Sequence, residues 1–304
     1  FSSTRDMALS AKMFIALLCV SNSRTQLIQS DECECGASEI PDRIVGGYEA
    51  KMEEFPWTGK LLYELFPEYF LYLCGCSLIS TEFALTAAHC IRSKRAEPYF
   101  IEFGVVEFDK NSVNRTLKTL YSVKDIIVHD NYNSQTVEND IALIKLNRKV
   151  DFSELILPVC LPVRFQNENL EDIPVSVAGW GKNESGVNPK VLLAATVETV
   201  SIESCKQYFD DLEDFDDTII DENKPQVMDN SLCTFDPVKD SCYGDSGGPL
   251  TYYDPDIARS FQIGITSWGI QCANTMSVYF SVSSTIDWID INVGKWILII
   301  IEEY

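Results

Sequence analysis

The sequence predicts an all-β fold, an antiparallel barrel or sandwich that ends in one helix. Short runs of β-branched and aromatic residues recur from Ile44 onward, and clusters of Gly, Pro, Asn and Asp separate them. Many short strands with turn signals between them are typical of antiparallel barrels and sandwiches. The clearest runs are residues 100–103, 125–128, 141–146, 175–178, 261–266 and 278–282.

The apolar pattern changes from strand to helix near the C-terminus. Ile286, Ile289 and Val293 recur at spacings of three and four, with acidic and amide residues between them, which is typical of an amphipathic helix packed on a barrel. Residues 294–304 then form an apolar tail that is far shorter than a membrane span. For this tail an atypical chain end and a docked strand are equally compatible with the sequence.

Composition and charge exclude several classes of protein. The chain has 304 residues, of which 46% are hydrophobic, so it can bury a sizeable core and is neither disordered nor collagen-like. The 24 Lys and Arg against 46 Asp and Glu give a net charge of −22. Such a chain repels phosphate backbones and anionic bilayers, so we expect no nucleic acid and no membrane as partners. Eleven cysteines without paired C-x-x-C spacing indicate disulfides in an oxidising, extracellular compartment.

The first 30 residues are typical of a secretory signal and residues upstream of it. Arg5 and Lys12 precede the apolar run 13–20, and small and polar residues follow. An ordinary buried helix is the alternative, because an apolar run this short is ambiguous. Removal of Cys19 with the signal would leave ten cysteines, which permits five disulfides.

Three separated segments carry reactive side chains. Residues 244–249 read GDSGGP, a serine among glycines whose neighbouring backbone N–H groups can point into one small volume. A serine is a poor nucleophile without a base, and the chain offers only His89, in TAAHC, and His129, in VHDNY. The base needs an orienting acceptor, and Asp140 in NDIAL opens an apolar strand. We expect His129 to be a structural hydrogen-bonding residue.

Together, TAAHC, NDIAL and GDSGGP, in the order His, Asp, Ser, resemble the trypsin/chymotrypsin-like serine protease family. The Cys33-x-Cys35-Gly36 prosegment and the plain catalytic domain look similar to those of arthropod haemolymph or venom proteases. The resemblance extends from Ile44 to about Val293 and also covers IVGG, PW, CG, GWG and SWG in the same order. It implies two antiparallel six-stranded β-barrels with the active site in the cleft between them, plus a C-terminal helix. An α/β-hydrolase would order its triad Ser, Asp, His instead.

The resemblance implies a Ser-His-Asp mechanism without a cofactor. Ser246 would be the nucleophile, His89 its base and Asp140 the group that orients the base. The backbone N–H groups of Gly244 and Ser246 would form the oxyanion hole. In the 267–268 segment, Ser267 would support Asp140, and Trp268 would help to pair with the substrate backbone.

The resemblance also implies a zymogen. Arg43 precedes IVGG, so an upstream trypsin-like protease would cut between Arg43 and Ile44. The new α-amino group of Ile44 would then pair with Asp245, whose carboxylate would otherwise be costly to bury. The implied regions are a signal and upstream residues at 1–30, a prosegment at 31–43, a protease domain at 44–293 and the apolar tail at 294–304.

Three residues are expected to set specificity. Asp240 stands at the base of the family's pocket, where a carboxylate selects Arg or Lys, and Gly269 keeps one wall open. Ser277 replaces a second wall glycine, so a protease with a different specificity is one alternative. A non-catalytic, protease-like binding or regulatory protein is the other. The expected partners are protein or peptide substrates, the activating protease and protein protease inhibitors, around a monomer that has two chains after activation.

The family pattern pairs most of the cysteines. The pairs implied are Cys74–Cys90, Cys205–Cys233 and Cys242–Cys272. Cys160 would bond to Cys33 or Cys35, and with Cys76 these four allow three connectivities. We do not expect the family's calcium loop, because Val105 stands where a carboxylate ligand would be, and no metal is expected elsewhere.

Two further features belong to the predicted surface. Residues 210–222 are rich in Asp and Glu and contain no basic residue, which indicates a solvated loop or, alternatively, an exosite for basic macromolecules. Asn114 and Asn183 begin glycosylation sequons, which agrees with secretion.

Overall fold

The computed structural model describes residues 35–38, 47–93, 95–108, 118–166, 168–181, 187–215, 225–235, 245–269 and 275–302. These residues form two closed antiparallel barrels of six strands each, together with two α-helices. The predicted all-β fold of two six-stranded barrels is therefore confirmed. Each of the six runs singled out in the sequence overlaps a strand.

The first barrel closes in the strand order β2-β3-β4-β7-β6-β5. Alternate apolar side chains on each strand point inward, as the two-residue period of a strand requires, and Leu61, Leu85, Ile101 and Ile144 are fully buried. The strands are β2 (Thr58–Phe66), β3 (Tyr69–Leu78), β4 (Phe83–Thr86), β5 (Tyr99–Phe103), β6 (Leu120–Val128) and β7 (Ala142–Leu146).

The second barrel closes in the order β8-β9-β10-β13-β12-β11, and its core includes Val197, Leu250, Ile263 and Tyr279. A short strand, β1 (Tyr48–Glu49), adds to the edge of β9. The barrel strands are β8 (Pro174–Gly179), β9 (Leu193–Val200), β10 (Ser231–Phe235), β11 (Pro249–Asp254), β12 (Arg259–Gly269) and β13 (Met276–Ser281).

Buried hydrogen bonds join the two barrels. The Ser77 hydroxyl on β3 donates to Oε1 of Gln262 on β12 over 2.6 Å, and both side chains are fully buried. The Gly75 N–H donates to the Ser246 carbonyl over 2.8 Å. Because buried polar groups are costly when unpaired, these bonds fix the alignment of the barrels and hence the cleft between them.

The helix α1 (Ile202–Phe215) follows Ser201, its N-cap, whose hydroxyl accepts the Ser204 N–H over 3.1 Å. The Cys205–Cys233 disulfide ties the helix to β10. The first part of the acidic segment, residues 210–215, therefore lies on a helix, and the expectation of a loop is wrong there. The helix is favoured because its first turns are capped and anchored, and the exposed Asp210 and Asp211 follow those turns.

The second helix, α2 (Ile286–Glu302), buries Ile286, Ile289 and Val293 as their spacing predicts. It continues through residues 294–302, so a docked strand is wrong for these residues, and an atypical chain end stays a prediction. Ile, Leu and Trp tolerate a helix, and no Pro interrupts this stretch. Among the described residues, no helix combines the length and the apolar character needed to cross a bilayer.

Three disulfides are present in the described part of the chain. They join Cys35 to Cys160, Cys74 to Cys90 and Cys205 to Cys233. Cys35 is therefore the partner of Cys160, and Gly36 fixes it there, because the Gly36 N–H donates to the Pro158 carbonyl and the Gly36 carbonyl accepts the Ser260 N–H. Cys76 is a fully buried free thiol. The predicted Cys242–Cys272 pair, Cys33 and the sequons at Asn114 and Asn183 lie outside the described residues.

Candidate active site

His89 lies at the rim of the first barrel. Strand β4 ends at Thr86, and a 3-10 turn over Ala88–Cys90 follows, held by the bond between Cys90 and Cys74. The small residues of this segment are buried, while the His89 side chain keeps 29% of its surface exposed. The backbone of His89 is thus fixed, and its imidazole is open toward the cleft.

Asp140 orients this imidazole. The Asp140 carboxylate is fully buried, just before β7. Its Oδ1 accepts the His89 N–H over 2.9 Å, and its Oδ2 lies 2.7 Å from His89 Nδ1. Burial and, secondarily, the Asp140 charge raise the pKa of the nearby Tyr132 phenol to about 12. A histidine whose Nδ1 faces a buried carboxylate presents Nε2 to the cleft as a proton acceptor.

Ser267 completes the environment of Asp140. Its hydroxyl donates to Asp140 Oδ2 over 2.5 Å. The register of β12 against β13 shifts between Thr266 and Trp268, so Ser267 occupies a β-bulge. A bulge re-aims a side chain, which explains how a residue of the second barrel reaches a carboxylate of the first.

Ser246 lies in a tight turn at the same interface. The turn is closed by the Gly248 N–H, which donates to the Asp245 carbonyl over 2.8 Å. Gly247 has φ +77°, and a Cβ there would lie 2.6 Å from the Gly75 carbonyl oxygen and would also collide with the Thr86 hydroxyl. Only glycine lets the turn approach this closely. The structure therefore brings Ser246 beside the segment that carries His89.

Asp245 faces away from this turn, into the second barrel. Its Oδ1 accepts the Gly181 N–H over 2.7 Å. A Cβ on Gly179 or Gly181 would collide with the Asp245 carboxylate, so the two glycines make room for it. Burial, and secondarily the charge of Asp245, hold the pKa of Tyr72 well above its usual value. Asp245 thus has surroundings of its own and is not the carboxylate that contacts His89.

One wall of the expected specificity pocket is described. Gly269 on β12 pairs with Ser277 on β13, and a Cβ on Gly269 would lie 3.5 Å from the Ser277 hydroxyl. Ser277 is 3% exposed. Trp268 is half-buried, with its ring centroid 4.8 Å from that of Phe209 on α1. The Ser277 side chain therefore lies beside Gly269, where a glycine would leave space.

Several predicted residues cannot be located. Asp240, Gly244, Arg43 and Ile44 lie outside the described residues, so the pocket base, one oxyanion donor and the activation bond stay predictions. His129 lies apart from the site, its ring 5.1 Å from that of Trp288. Burial lowers its pKa, against the opposing effect of Asp130.

Two groups of possible metal ligands are accounted for by the chain itself. Cys74, Cys90 and His89 lie close together, but the two sulfurs are bonded to each other and are not available as thiolates. In the loop after β5, the Lys60 ammonium lies among oxygens of Glu102, Val105 and Glu107. These oxygens are therefore already hydrogen-bonded to a cation of the chain itself.

Sequence reasoning did not single out Lys60 or Tyr72. Lys60 is 2% exposed in the apolar strand β2, and a lysine between Gly59 and Leu61 is the signal that could have found it. Tyr72 carries no such signal, because a tyrosine in a strand is ordinary.

Comparison with known proteins agrees with this geometry. The family model described as Trypsin matches residues 44–289. A venom serine protease of Polistes dominula is 33% identical over 265 residues, covering 86% of this chain and 87% of that protein. Trypsin-1 of Astacus astacus is 35% identical over 255 residues, covering 82% and 99%. A CLIP domain-containing serine protease B4 of Anopheles gambiae is 31% identical over 291 residues, covering 90% and 76%. On the family match and the two-barrel fold, the chain belongs to the trypsin family of serine proteases.

Proposed function

We propose that the protein is a secreted serine endopeptidase that cleaves after Arg or Lys with Ser246 as nucleophile. The observation that carries the proposal is the 2.7 Å contact between His89 Nδ1 and Asp140 Oδ2. The Asp140 carboxylate is fully buried, and it also accepts hydrogen bonds from the His89 N–H and the Ser267 hydroxyl. Such a network has the geometry of a base and its orienting group, and Gly247, next to Ser246, packs against Thr86 and Ala87 in the segment that leads to His89.

The proposed reaction uses these side chains in turn. His89 Nε2 takes the proton of the Ser246 hydroxyl as its oxygen attacks the scissile carbonyl, and later gives that proton to the leaving amine. Asp140 stabilises the imidazolium formed between these steps. The N–H groups of Gly244 and Ser246 receive the developing oxyanion, a contribution of about 3 kcal/mol for each such donor.

Specificity for Arg or Lys rests on Asp240 as the base of the pocket. A carboxylate in a closed pocket favours a cationic side chain and rejects apolar ones, because it would be left unpaired. The Ser277 hydroxyl beside Gly269 takes up part of the space at the wall of the expected pocket. This supports a preference for the slimmer Lys side chain over Arg.

Activation and secretion belong to the same proposal. Cleavage after Arg43 by a trypsin-like protease would free the Ile44 amino group to pair with Asp245, and the Cys35–Cys160 bond would retain the prosegment. The apolar run near the N-terminus, the disulfides and a relative named a venom serine protease support an extracellular location. Protein substrates and protein protease inhibitors are the proposed partners.

The test is turnover of matched peptides with Arg, Lys, Phe or Leu before the scissile bond. Recombinant protein cut at Arg43 should cleave the Arg and Lys peptides, and Ser246→Ala should abolish cleavage. Turnover of the apolar peptides alone would overturn the Arg/Lys specificity. An absence of turnover, in protein whose free Ile44 terminus is confirmed, would favour a non-catalytic binding protein.

A further inference from the structure

A buried ammonium lies at the centre of the loop that follows β5. Lys60 Nζ donates to Glu102 Oε2 over 3.2 Å, to the Val105 carbonyl over 3.1 Å and to the Glu107 carbonyl over 2.6 Å. Lys60 and Glu102 are 2% and 6% exposed. An ammonium has three protons, and the described residues already offer three oxygen acceptors, so the charge is buried with hydrogen-bond partners.

The same oxygens are of the kind that a metal ion prefers. Carboxylate and backbone carbonyl oxygens are typical ligands of calcium, which takes six to eight of them. Val105 contributes only its carbonyl, and the Lys60 ammonium already lies among the oxygens. A divalent ion placed there would meet a positive charge at contact distance. Lys60 therefore supplies the cation of this loop from the neighbouring strand.

The loop is joined to the Asp245 site through Trp180. The Lys60 Nζ lies 4.4 Å from the centroid of the Trp180 ring, and Trp180 Nε1 donates to the Val106 carbonyl over 2.7 Å. Trp180 is 1% exposed, and the next residue, Gly181, donates its N–H to Asp245. The position of that N–H thus depends on an indole that the loop and the ammonium hold from two sides.

A second connection runs through Phe108. Its ring lies edge-on to Tyr72, with centroids 5.2 Å apart, and its N–H donates to the Lys190 carbonyl over 2.7 Å. Tyr72 is close enough to Asp245 to respond to its charge. The loop thus also packs against a residue in the electrostatic neighbourhood of Asp245.

We propose that Lys60 is a positioning residue for Asp245, acting as the resident cation of the 104–108 loop and holding Trp180 and Gly181 in place. The proposal rests on the proposed function, in which Asp245 pairs with the Ile44 amino group. Loss of the ammonium would leave the loop oxygens without their cation, loosen Trp180 and weaken that pairing.

Two variants of the full chain, each cut after Arg43, separate the charge from the fold. Lys60→Met keeps the length of the stem and removes the ammonium. In Lys60→Glu the side chain is shorter, so its carboxylate would stop before the position of Lys60 Nζ. Calcium bound 2.3–2.6 Å from that carboxylate would lie about where Nζ lies now. Lys149→Glu, at an exposed lysine, is the control for the change of charge.

In Lys60→Met, kcat/KM should fall about tenfold or more, together with the fraction of molecules that an acylating active-site titrant labels. Reductive methylation of the Ile44 amino group, read by mass spectrometry, should rise. In Lys60→Glu, millimolar calcium should raise the melting temperature and restore both protection of Ile44 and kcat/KM. Terbium should show emission sensitised by Trp180. Wild type and Lys149→Glu should show none of these metal responses.

The readouts distinguish the possible failures. Unchanged Ile44 protection and unchanged kcat/KM in Lys60→Met would overturn the positioning role. A folded Lys60→Glu protein without terbium emission or calcium stabilisation would overturn the role of Lys60 as the resident cation of the 104–108 loop. Calcium stabilisation of the wild type would overturn it as well. Methylation and emission need no turnover, so they decide the proposal even if the wild type cleaves no peptide. An Ile44 amino group that is unprotected in the cut wild type would overturn the pairing and, with it, the role of Lys60.

Discussion

The Ser267 hydroxyl and His89 Nδ1 share one oxygen, Oδ2 of Asp140, at 2.5 Å and 2.7 Å. The two side chains come from different barrels, because Ser267 lies on β12 and His89 follows β4. The orientation of the His89 imidazole is therefore coupled to the alignment of the two barrels.

Replacing Ser267 should test this coupling. A hydrogen bond to a buried charged group contributes about 1.5–3 kcal/mol, so Ser267→Ala should lower kcat/KM about tenfold or more, mainly through kcat. Ser283→Ala is the matched control, because Ser283 bonds to Ser281 at the far end of the second barrel and should leave kcat/KM unchanged. Equal kinetics of the two variants would show that Asp140 does not need Ser267.

Ser277→Gly should change the preference between Arg and Lys. Removing the hydroxymethyl group beside Gly269 would open the wall of the pocket, so kcat/KM for an Arg peptide should rise relative to Lys, by about two- to tenfold. The ratio of kcat/KM values for paired peptides measures this. A ratio that stays at the wild-type value would mean that Ser277 does not face the bound side chain.

Cys76 should be unreactive in the native protein. It is fully buried, and burial raises the pKa of its thiol well above the usual value, so almost no thiolate exists at neutral pH. Iodoacetamide at pH 8 should modify Cys76 only after denaturation, as mapped by mass spectrometry. Cys76→Ala supplies the control in which the labelled peptide is absent, and rapid native labelling would contradict the burial.

His129 should make stability fall in acid. Burial lowers its folded-state pKa below 6.5, so the unfolded chain binds the proton more readily. The contribution of neutral His129 is present above pH 6.5 and is lost as the pH falls through the folded-state pKa. Denaturant unfolding at pH 7.5 and pH 5 should show a smaller difference for His129→Gln than for wild type.

His89→Ala provides the matched control for that experiment, because the chain has only two histidines. It should keep the acid sensitivity that His129→Gln loses. Loss of the acid sensitivity in His89→Ala but not in His129→Gln would contradict the prediction.

The sequence was sufficient for the parts of the site that lie in short motifs. His89, Asp140 and Ser246 each stand in a segment that resembles a family motif, so their roles were predicted from that resemblance. The contacts of Lys60 could not be predicted, because its partner Glu102 is 42 residues away and the register of β2 against β5 brings them together.

Other features depended on packing rather than on motif. The choice of Cys35 over Cys33 needed the contacts of Gly36 with Pro158 and Ser260, which are distant in sequence. The bulge at Ser267 depends on the pairing of β12 with β13. The extent of α2 was underestimated, because its apolar end lacks the alternation with polar residues that marks a surface helix.

The bond between Cys35 and Cys160 limits how far the segment after Cys35 can extend from the second barrel. Arg43 lies eight positions after Cys35, so the proposed activation bond can lie no more than about 30 Å from its anchor on the second barrel. An activating enzyme would have to cut the chain within that distance of the anchor. The severed peptide would then travel with the molecule as a short light chain, visible only when a gel is run under reducing conditions.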